Sequence, residues 1–361
     1  MNQFSVLKHI TLLFLGGFCL VNPMFRDSDV RTHTNAIEED HLPGNPTVIS
    51  AKLFAGFSHA AAIKSDSTLW LWGNNSNGQL GNGGVGNGLY PYQLSGFTTV
   101  KDVACGYQHT LVLKSNGTVW SFGRNSEGQL GDGTLTQKLS PVLTGVINNA
   151  TAVGAGYYHS LAVRSNGTLW AWGYNNNGQL GNGTNFNSVA AVQVPALTGV
   201  LKASGGEFFS VALKSNGTVW SWGQNNFGQL GIANTIVQTR PVQVSALTNV
   251  VAIATGRNHT LALKSDGTVW SWGGNSYGEL GIGVTGNRNV PVQATALTNI
   301  IAIAAGQYQS LALKSDGTIW SWGYNAQGQL GNGAADNAAH PTPLQIGSTT
   351  AWIAIAAGAH S

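Results

Sequence analysis

"KSDGTVWSWGGNSYGELG", residues 264–281, is the stretch whose reading decides the fold. Its first tryptophan belongs to a series, Trp70, Trp120, Trp170, Trp220, Trp270 and Trp320, with one member every 50 residues. A second aromatic follows two positions later each time: Trp72, Phe122, Trp172, Trp222, Trp272 and Trp322. Asp266-Gly267 reads as a two-residue hairpin turn of type I′, because Gly accepts positive φ. Asn116-Gly117, Asn166-Gly167, Asn216-Gly217 and Asp316-Gly317 repeat it, whereas Asp66-Ser67 in the first unit predicts a looser turn. Before the turn, "HTLALKS" (259–265) alternates apolar and polar residues as a strand b would, and "TVWSW" (268–272) supplies strand c. Upstream, "NVVAIATG" (249–256) reads as a buried strand a. Downstream, "PVQA" (291–294) reads as strand d, with Pro first, where a missing N–H does least harm.

Four antiparallel strands per 50-residue unit predict an all-β chain, a β-propeller of four-stranded blades, with six complete repeats and the start of a seventh. Alternation along strand c sends Trp270 and Trp272 to the same side of the blade. A tryptophan buries about 150–250 Å², roughly 4–6 kcal/mol gross before entropy. The tryptophan ladder is therefore expected to pack blade against blade.

The wider stretch "GRNHTLALKSDGTVWSWGGNSYGELG" (256–281) resembles the repeat of the regulator-of-chromosome-condensation family. Gly-x-x-His and Trp-Gly-x-Asn-x-x-Gly-Gln-Leu-Gly are its specific elements, and six units carry the pattern. Kelch units, marked by a Gly-Gly pair ahead of separated Tyr and Trp, do not match. The resemblance implies a seven-bladed propeller, with the chain looking like a bacterial-type exported member. After six units only "AWIAIAAGAHS" (351–361) remains, matching strand a and the first residues of strand b. Either the sequence is a fragment of a longer chain, or six blades close with a spare strand. The fragment is favoured, since an unpaired apolar strand edge invites aggregation.

Outside the array, residues 1–21 resemble a secretory signal, with Lys8 ahead of the apolar run "ITLLFLGGFCLV" (10–21). That run is too short for a helical span, which needs about 20 residues. Gly17-Phe18-Cys19 offers a mediocre cleavage site, and a lipid anchor on Cys19 is disfavoured by Phe18. Residues 22–46 read as a disordered linker, and 47–361 as the propeller. The expected location is secreted or cell-surface. Charged residues make up only 9% of the chain, and its net charge of +3 is too small for a nucleic-acid surface. Cys105 stands where other units carry Ala, Gly or Thr and reads as a small buried side chain.

For catalysis there is no phosphate loop, no His-Glu-x-x-His, no Gly-x-Ser-x-Gly and no Cys-x-x-Cys. The Ser-Asp-Gly-Thr-x-Trp text is similar to a sialidase Asp-box but has the wrong spacing. No catalytic residue, cofactor or metal site is therefore expected, and the protein is read as a non-enzyme. His59, His109, His159, His259 and His360 recur at one position of the unit, where Phe209 and Gln309 stand in the other two. Equivalent positions spread around a ring, so packing or inter-blade hydrogen bonding is expected rather than ligation. Lys64, Lys114, Arg164, Lys214, Lys264 and Lys314 form a second ring, read as a solvated rim.

Comparing units with one another leaves two variable windows. One lies between strands a and b and holds Tyr107, Tyr157, Tyr158, Phe208, Arg257 and Tyr308. The other follows strand c and holds Arg124, Tyr174, Phe227, Tyr277 and Tyr324. In a meander both leave the blade at the same end, so they converge on one face. Tyr, Phe and Arg are enriched at binding hot spots. The expected function is an exported, monomeric scaffold that captures an unidentified protein partner on this face, without nucleic acid or a membrane span. The resemblance extends to secreted bacterial propellers that inhibit β-lactamases, so enzyme inhibition is one version of that function. Two alternatives stand beside it. One is regulation of a small GTPase by nucleotide exchange, known in nuclear family members that carry a wedge-like hairpin; the even spacing from Gly56 to Gly306 has no room for one. The other is a glycan-binding or glycan-cleaving propeller.

Overall fold

A computed structural model describes residues 11–15, 18–22 and 52–358 of the chain, and among them there is no helix. Six four-stranded antiparallel sheets are arranged as blades, each a meander of strands a to d in sequence order. In the fifth blade these are Val250–Thr255, His259–Lys264, Val269–Gly273 and Arg288–Gln293. The corresponding a strands are Lys52–Ala55, Val100–Cys105, Ala150–Ala155, Val200–Gly205 and Ile300–Ala305.

Of the seventh unit, only strand a is described, Ala354–Ala357. It lies between the sixth blade and the first, so seven a strands wall the central channel. Phe18–Asn22 pairs antiparallel with it, and Thr11–Leu15 pairs with Phe18–Asn22. The rest of the expected signal segment, residues 23–46 of the linker and His360 lie outside the described residues.

The hairpin between strands b and c differs from the expected two-residue form. Lys264 O accepts from Gly267 N at 3.0 Å, and Lys264 N donates to Thr268 O at 3.0 Å. Ser265, Asp266 and Gly267 therefore make a three-residue loop in which Gly267 alone has positive φ, at 78°. Asp266 is held by its own carboxylate, which accepts from the Thr268 backbone at 3.0 Å and hydroxyl at 2.6 Å. The first blade makes the same loop with Ser67 at φ 62°, bonded to Lys64 O at 2.8 Å, so its turn is not looser. It carries the strain of an L-residue in the left-handed region instead.

Strand d also starts earlier than expected. The register runs from Ser271↔Val292 to Gly273↔Arg288, leaving three residues of the d strand opposite one of strand c. Pro291 sits in that bulge on an edge strand, where no ladder bond needs its missing N–H.

Strand b is buried on both faces. His259 to Leu263 are all buried, because a neighbouring blade covers each face. The alternation in "HTLALKS" is thus a pattern of satisfied polar groups within a core. One cluster shows where that core lies: Val211, Leu213 and Val219 of the fourth blade pack with Val250, Ala262 and Trp272 of the fifth. Trp172, Trp222, Trp272 and Trp322 are fully buried. Each indole N–H reaches back to the preceding blade, as Trp272 Nε1 does to Gln229 O at 2.9 Å. From the second unit to the sixth the second aromatic packs between blades, whereas Trp72 of the first clusters with Ala60, Ala62 and Trp70 of its own blade.

Candidate functional site on the loop face

Within each blade the two variable windows are tied together by a backbone hydrogen bond. Tyr174 N donates to Tyr158 O at 2.9 Å, Gly274 N to Asn258 O at 2.7 Å and Tyr324 N to Tyr308 O at 2.9 Å. The a–b loops also join around the channel mouth: Tyr107 N bonds Tyr157 O at 3.2 Å, and Glu207 N bonds Arg257 O at 3.0 Å. Both windows therefore occupy one face, as the meander requires. Behind the loops a cavity of about 310 Å³ runs between the a strands.

Asn275, one of the recurrent Asn residues, shapes its c–d loop. Its amide donates to Val284 O at 2.8 Å and Gly286 O at 3.1 Å, while its carbonyl accepts from Leu280 N at 3.0 Å. The loop is thereby rigid at its base, and the residues on either side of Asn275 are free to vary.

The structure gathers the expected site residues into two aromatic groups. In the first, Tyr107, Tyr157, Tyr158, Tyr174 and Phe208 join Phe57. Tyr107 and Tyr158 have ring centroids 5.4 Å apart, Tyr158 and Phe208 stack at 5.9 Å, and Tyr174 meets Phe208 at 5.5 Å. Arg124 lies 5.3 Å over the Tyr158 ring and pairs with Glu127 at 3.3 Å. In the second, Tyr277 lies 5.3 Å from Tyr308 and 4.5 Å from Tyr324. Arg257 Nε pairs with Glu207 Oε2 at 2.7 Å, and another guanidinium nitrogen bonds the Tyr308 hydroxyl. That pairing holds the guanidinium charged, with its pKa pushed up by Glu207.

These rings are half-buried against one another, and Phe227, at 38% exposure, is the most open of the expected site residues. Tyr157 is the most enclosed. Its hydroxyl is buried without a partner, and burial pushes its pKa well above the ordinary value.

Comparison of the units places Gly274 in a variable window but does not reveal the cavity beside it or the part played by Glu279. Residues 74, 124, 174, 224 and 324 carry side chains, but Gly274 carries none. Next to the gap is a cavity of about 440 Å³, lined by Phe208, Phe227, Tyr277, Tyr308, Asn258 and Glu279, among others. Glu279 replaces the glutamine found in the other five units and is only 3% exposed. Its Oε2 accepts from Tyr277 N at 2.8 Å, and burial raises its pKa to about 7. The signal was present in the text: one Glu in the run Gln79, Gln129, Gln179, Gln229, Gln329, five residues after one Gly.

The histidine ring bonds blade to blade. His59, His109, His159 and His259 place Nε2 at 2.9, 3.0, 2.8 and 2.9 Å from a Thr or Ser hydroxyl of the next blade. The Thr110, Ser160, Ser210 and Ser310 hydroxyls each donate onward to a backbone carbonyl, so in all four pairs the imidazole N–H is the donor. Burial lowers all four histidine pKa values, to about 4 for His59 and about 3 for the others. Gln309 makes its own bridge, to Gly358 O at 2.7 Å. The basic ring is more than a solvated rim. Lys64, Arg164, Lys214 and Lys264 lie 4.5–5.6 Å over Trp70, Trp170, Trp220 and Trp270. Cys105 packs against the core between the first and second blades, where burial pushes its thiol up to about 12. Among the described residues no three His, Cys, Asp or Glu side chains gather as a metal-binding group.

Comparison with curated proteins gives no match. Among solved structures, Prp20p from Saccharomyces cerevisiae, reported with its binding properties to Gsp1p and histones, superposes with a TM-score of 0.81 at 24% identity, covering 99% of this chain and 91% of that one. Human WBSCR16 superposes with a TM-score of 0.79 at 21% identity, covering 98% of each chain. Identities this low establish a shared fold and nothing finer. The family described as "Regulator of chromosome condensation (RCC1) repeat" matches residues 66–113, 116–163, 166–213, 216–263, 266–313 and 316–361. With these six consecutive matches covering most of its length, the chain belongs to the RCC1 repeat family.

Proposed function

We propose that this RCC1-repeat propeller is a non-enzymatic scaffold that captures a protein partner on its loop face, with inhibition of a partner enzyme as one form of that capture. The carrying observation is the joined aromatic surface of Tyr158, Tyr174 and Phe208, flanked by Arg124 and backed by a rigid ring of loops. Half-buried aromatics on a preorganised frame lose little side-chain entropy when covered, which is what hot-spot residues require. The seven a strands around the channel support a seven-blade plan for the whole disc. Export, suggested by the apolar run over residues 10–21, fits a surface made soluble mainly by neutral polar residues. Among the described residues no helix is long and apolar enough to cross a membrane. Fold likeness to a propeller studied with Gsp1p does not transfer that partner to this chain.

Affinity capture with the full chain as bait, compared between the wild type and a Tyr158→Ala, Tyr174→Ala double variant, tests this. The expected result is loss of the captured protein while the thermal midpoint stays within a few degrees. Equal capture by the double variant refutes the loop-face assignment. Tyr157 is left intact because it is packed between Phe57, Tyr107 and Tyr158.

A further inference from the structure

The cavity beside Gly274 has a chemical character that the rest of the face lacks. In the first and fourth blades, the glutamine at the base of the c–d loop uses its amide to hold the side chain five residues earlier. Gln79 Nε2 donates to Asn74 Oδ1 at 2.7 Å, and Gln229 Nε2 to Gln224 Oε1 at 3.3 Å. The fifth blade changes both members, so a carboxylate stands where an amide would be, and no side chain occupies the position it would have met. Gly274 has no positive φ that would demand glycine. A Cβ there would lie 3.3 Å from Asn258 Cβ, so the glycine lets the two loops approach closely and leaves the space beyond them without a side chain.

Around that space the groups are complementary to a cation. Phe208, Phe227, Tyr277 and Tyr308 supply aromatic walls. Asn258 lines the same cavity, and its Oδ1 is buried without a hydrogen-bond partner. An unsatisfied buried acceptor in a native fold calls for an explanation. Arg257 does not oppose a cation on balance, because Glu207 holds it in a two-contact ion pair, at 2.7 and 3.2 Å. Glu207, Arg257 and ionised Glu279 together leave one net negative charge.

We propose that this cavity receives the ammonium end of a lysine side chain from the protein partner, with Glu279 and Asn258 as acceptors and the aromatic rings as walls. This rests on the protein-binding reading above and names the chemistry of the partner. A volume of about 440 Å³ accommodates a lysine side chain with water. Lysine suits the site better than arginine. Glu279 already spends one oxygen on the Tyr277 N–H, which disfavours a planar fork, while a compact ammonium with three donors reaches separate acceptors.

The free pocket also has a built-in pH dependence. The charged or titratable groups that line the cavity with Glu279 are Arg257, Glu207, His259, Tyr277 and Tyr308. His259 stays neutral above about pH 3, and the arginine stays charged. Glu279 is therefore the group that ionises near pH 7, and binding of a cation strengthens as pH rises through that range.

Saturation-transfer NMR on the full chain, with Nα-acetyl-lysine N-methylamide as probe and the norleucine analogue as its uncharged control, tests this. Saturable binding of the lysine probe at pH 8 is expected, with at least tenfold weakening at pH 5.5. The same loss is expected in Glu279→Gln, which restores the residue of the other five blades, and in Gly274→Tyr, which restores that of the third and sixth. Equal binding of the norleucine analogue, tighter binding of the arginine analogue, or unchanged lysine binding by Glu279→Gln overturns the inference. Partner capture separates the two readings. Capture that is lost with Tyr158→Ala, Tyr174→Ala but indifferent to Glu279→Gln retains the scaffold and removes the lysine.

Discussion

Replacing Trp222 by Phe and by Ala measures how much of the stability lies between blades. The Trp222 side chain is fully buried, and its indole N–H donates to Gln179 O at 2.8 Å in the preceding blade. Truncation to Ala removes a large aromatic from a packed interface, at about 3–5 kcal/mol, plus about 0.5–1.5 kcal/mol for the hydrogen bond. Trp222→Ala should therefore cost roughly 4–6 kcal/mol. Phe is different, because the protein already contains the experiment: Phe122 fills the same place in the second blade, also fully buried. Gln179 O keeps a partner when the indole is gone, since the Ser210 hydroxyl donates to it at 2.8 Å. Trp222→Phe then loses one net hydrogen bond and two ring carbons of burial, about 2–3 kcal/mol in all. Urea denaturation followed by circular dichroism reads both as shifts in midpoint at constant slope. Equal costs for Phe and Ala, or a Phe variant as stable as the wild type, refute this account of the interface.

Two further outcomes follow from the same geometry. Ser67→Gly should stabilise the protein by about 0.5–1 kcal/mol, because relief of a left-handed serine exceeds the added unfolded-chain entropy of glycine; an unchanged or lowered urea midpoint contradicts it. Acidification should destabilise the fold through the histidine ring. The folded pKa values lie near 3–4, below the ordinary 6.5, so the unfolded chain binds more protons between those limits. Stability is complete above about pH 6.5 and falls by about 1.4 kcal/mol per pH unit for each histidine as pH drops toward 3. His159→Gln, which copies Gln309, should remove about one proton from that slope in urea titrations between pH 6 and 4. A slope identical to the wild type shows that His159 is not buried in its neutral form.

The exact 50-residue period, the tryptophan pairs and the Gly-marked hairpins were enough to define blades, because each is a local constraint repeated until chance is excluded. Local pattern also placed both variable windows on one face, since a meander must return its a–b and c–d connections to the same end. It misjudged whatever depends on neighbours. The alternation of strand b does not record that both its faces are covered, and only the adjacent blade reveals that Ser210 and Ser310 satisfy histidines from the unit before. The bulge carrying Pro291 and the single positive φ at Gly267 depend on the register of paired strands, which the letters of one strand do not record.

The loop face shows the same division. Which tyrosines vary was readable from the repeats. That they pack into two groups, enclose Tyr157 and leave a cavity at Gly274 was settled only when the blades were set side by side. Glu279 makes the reason plain. In the sequence it is one substitution among six copies; in the fold it is a buried carboxylate with an empty place in front of it, because burial and vacancy belong to the assembled ring and not to any one repeat.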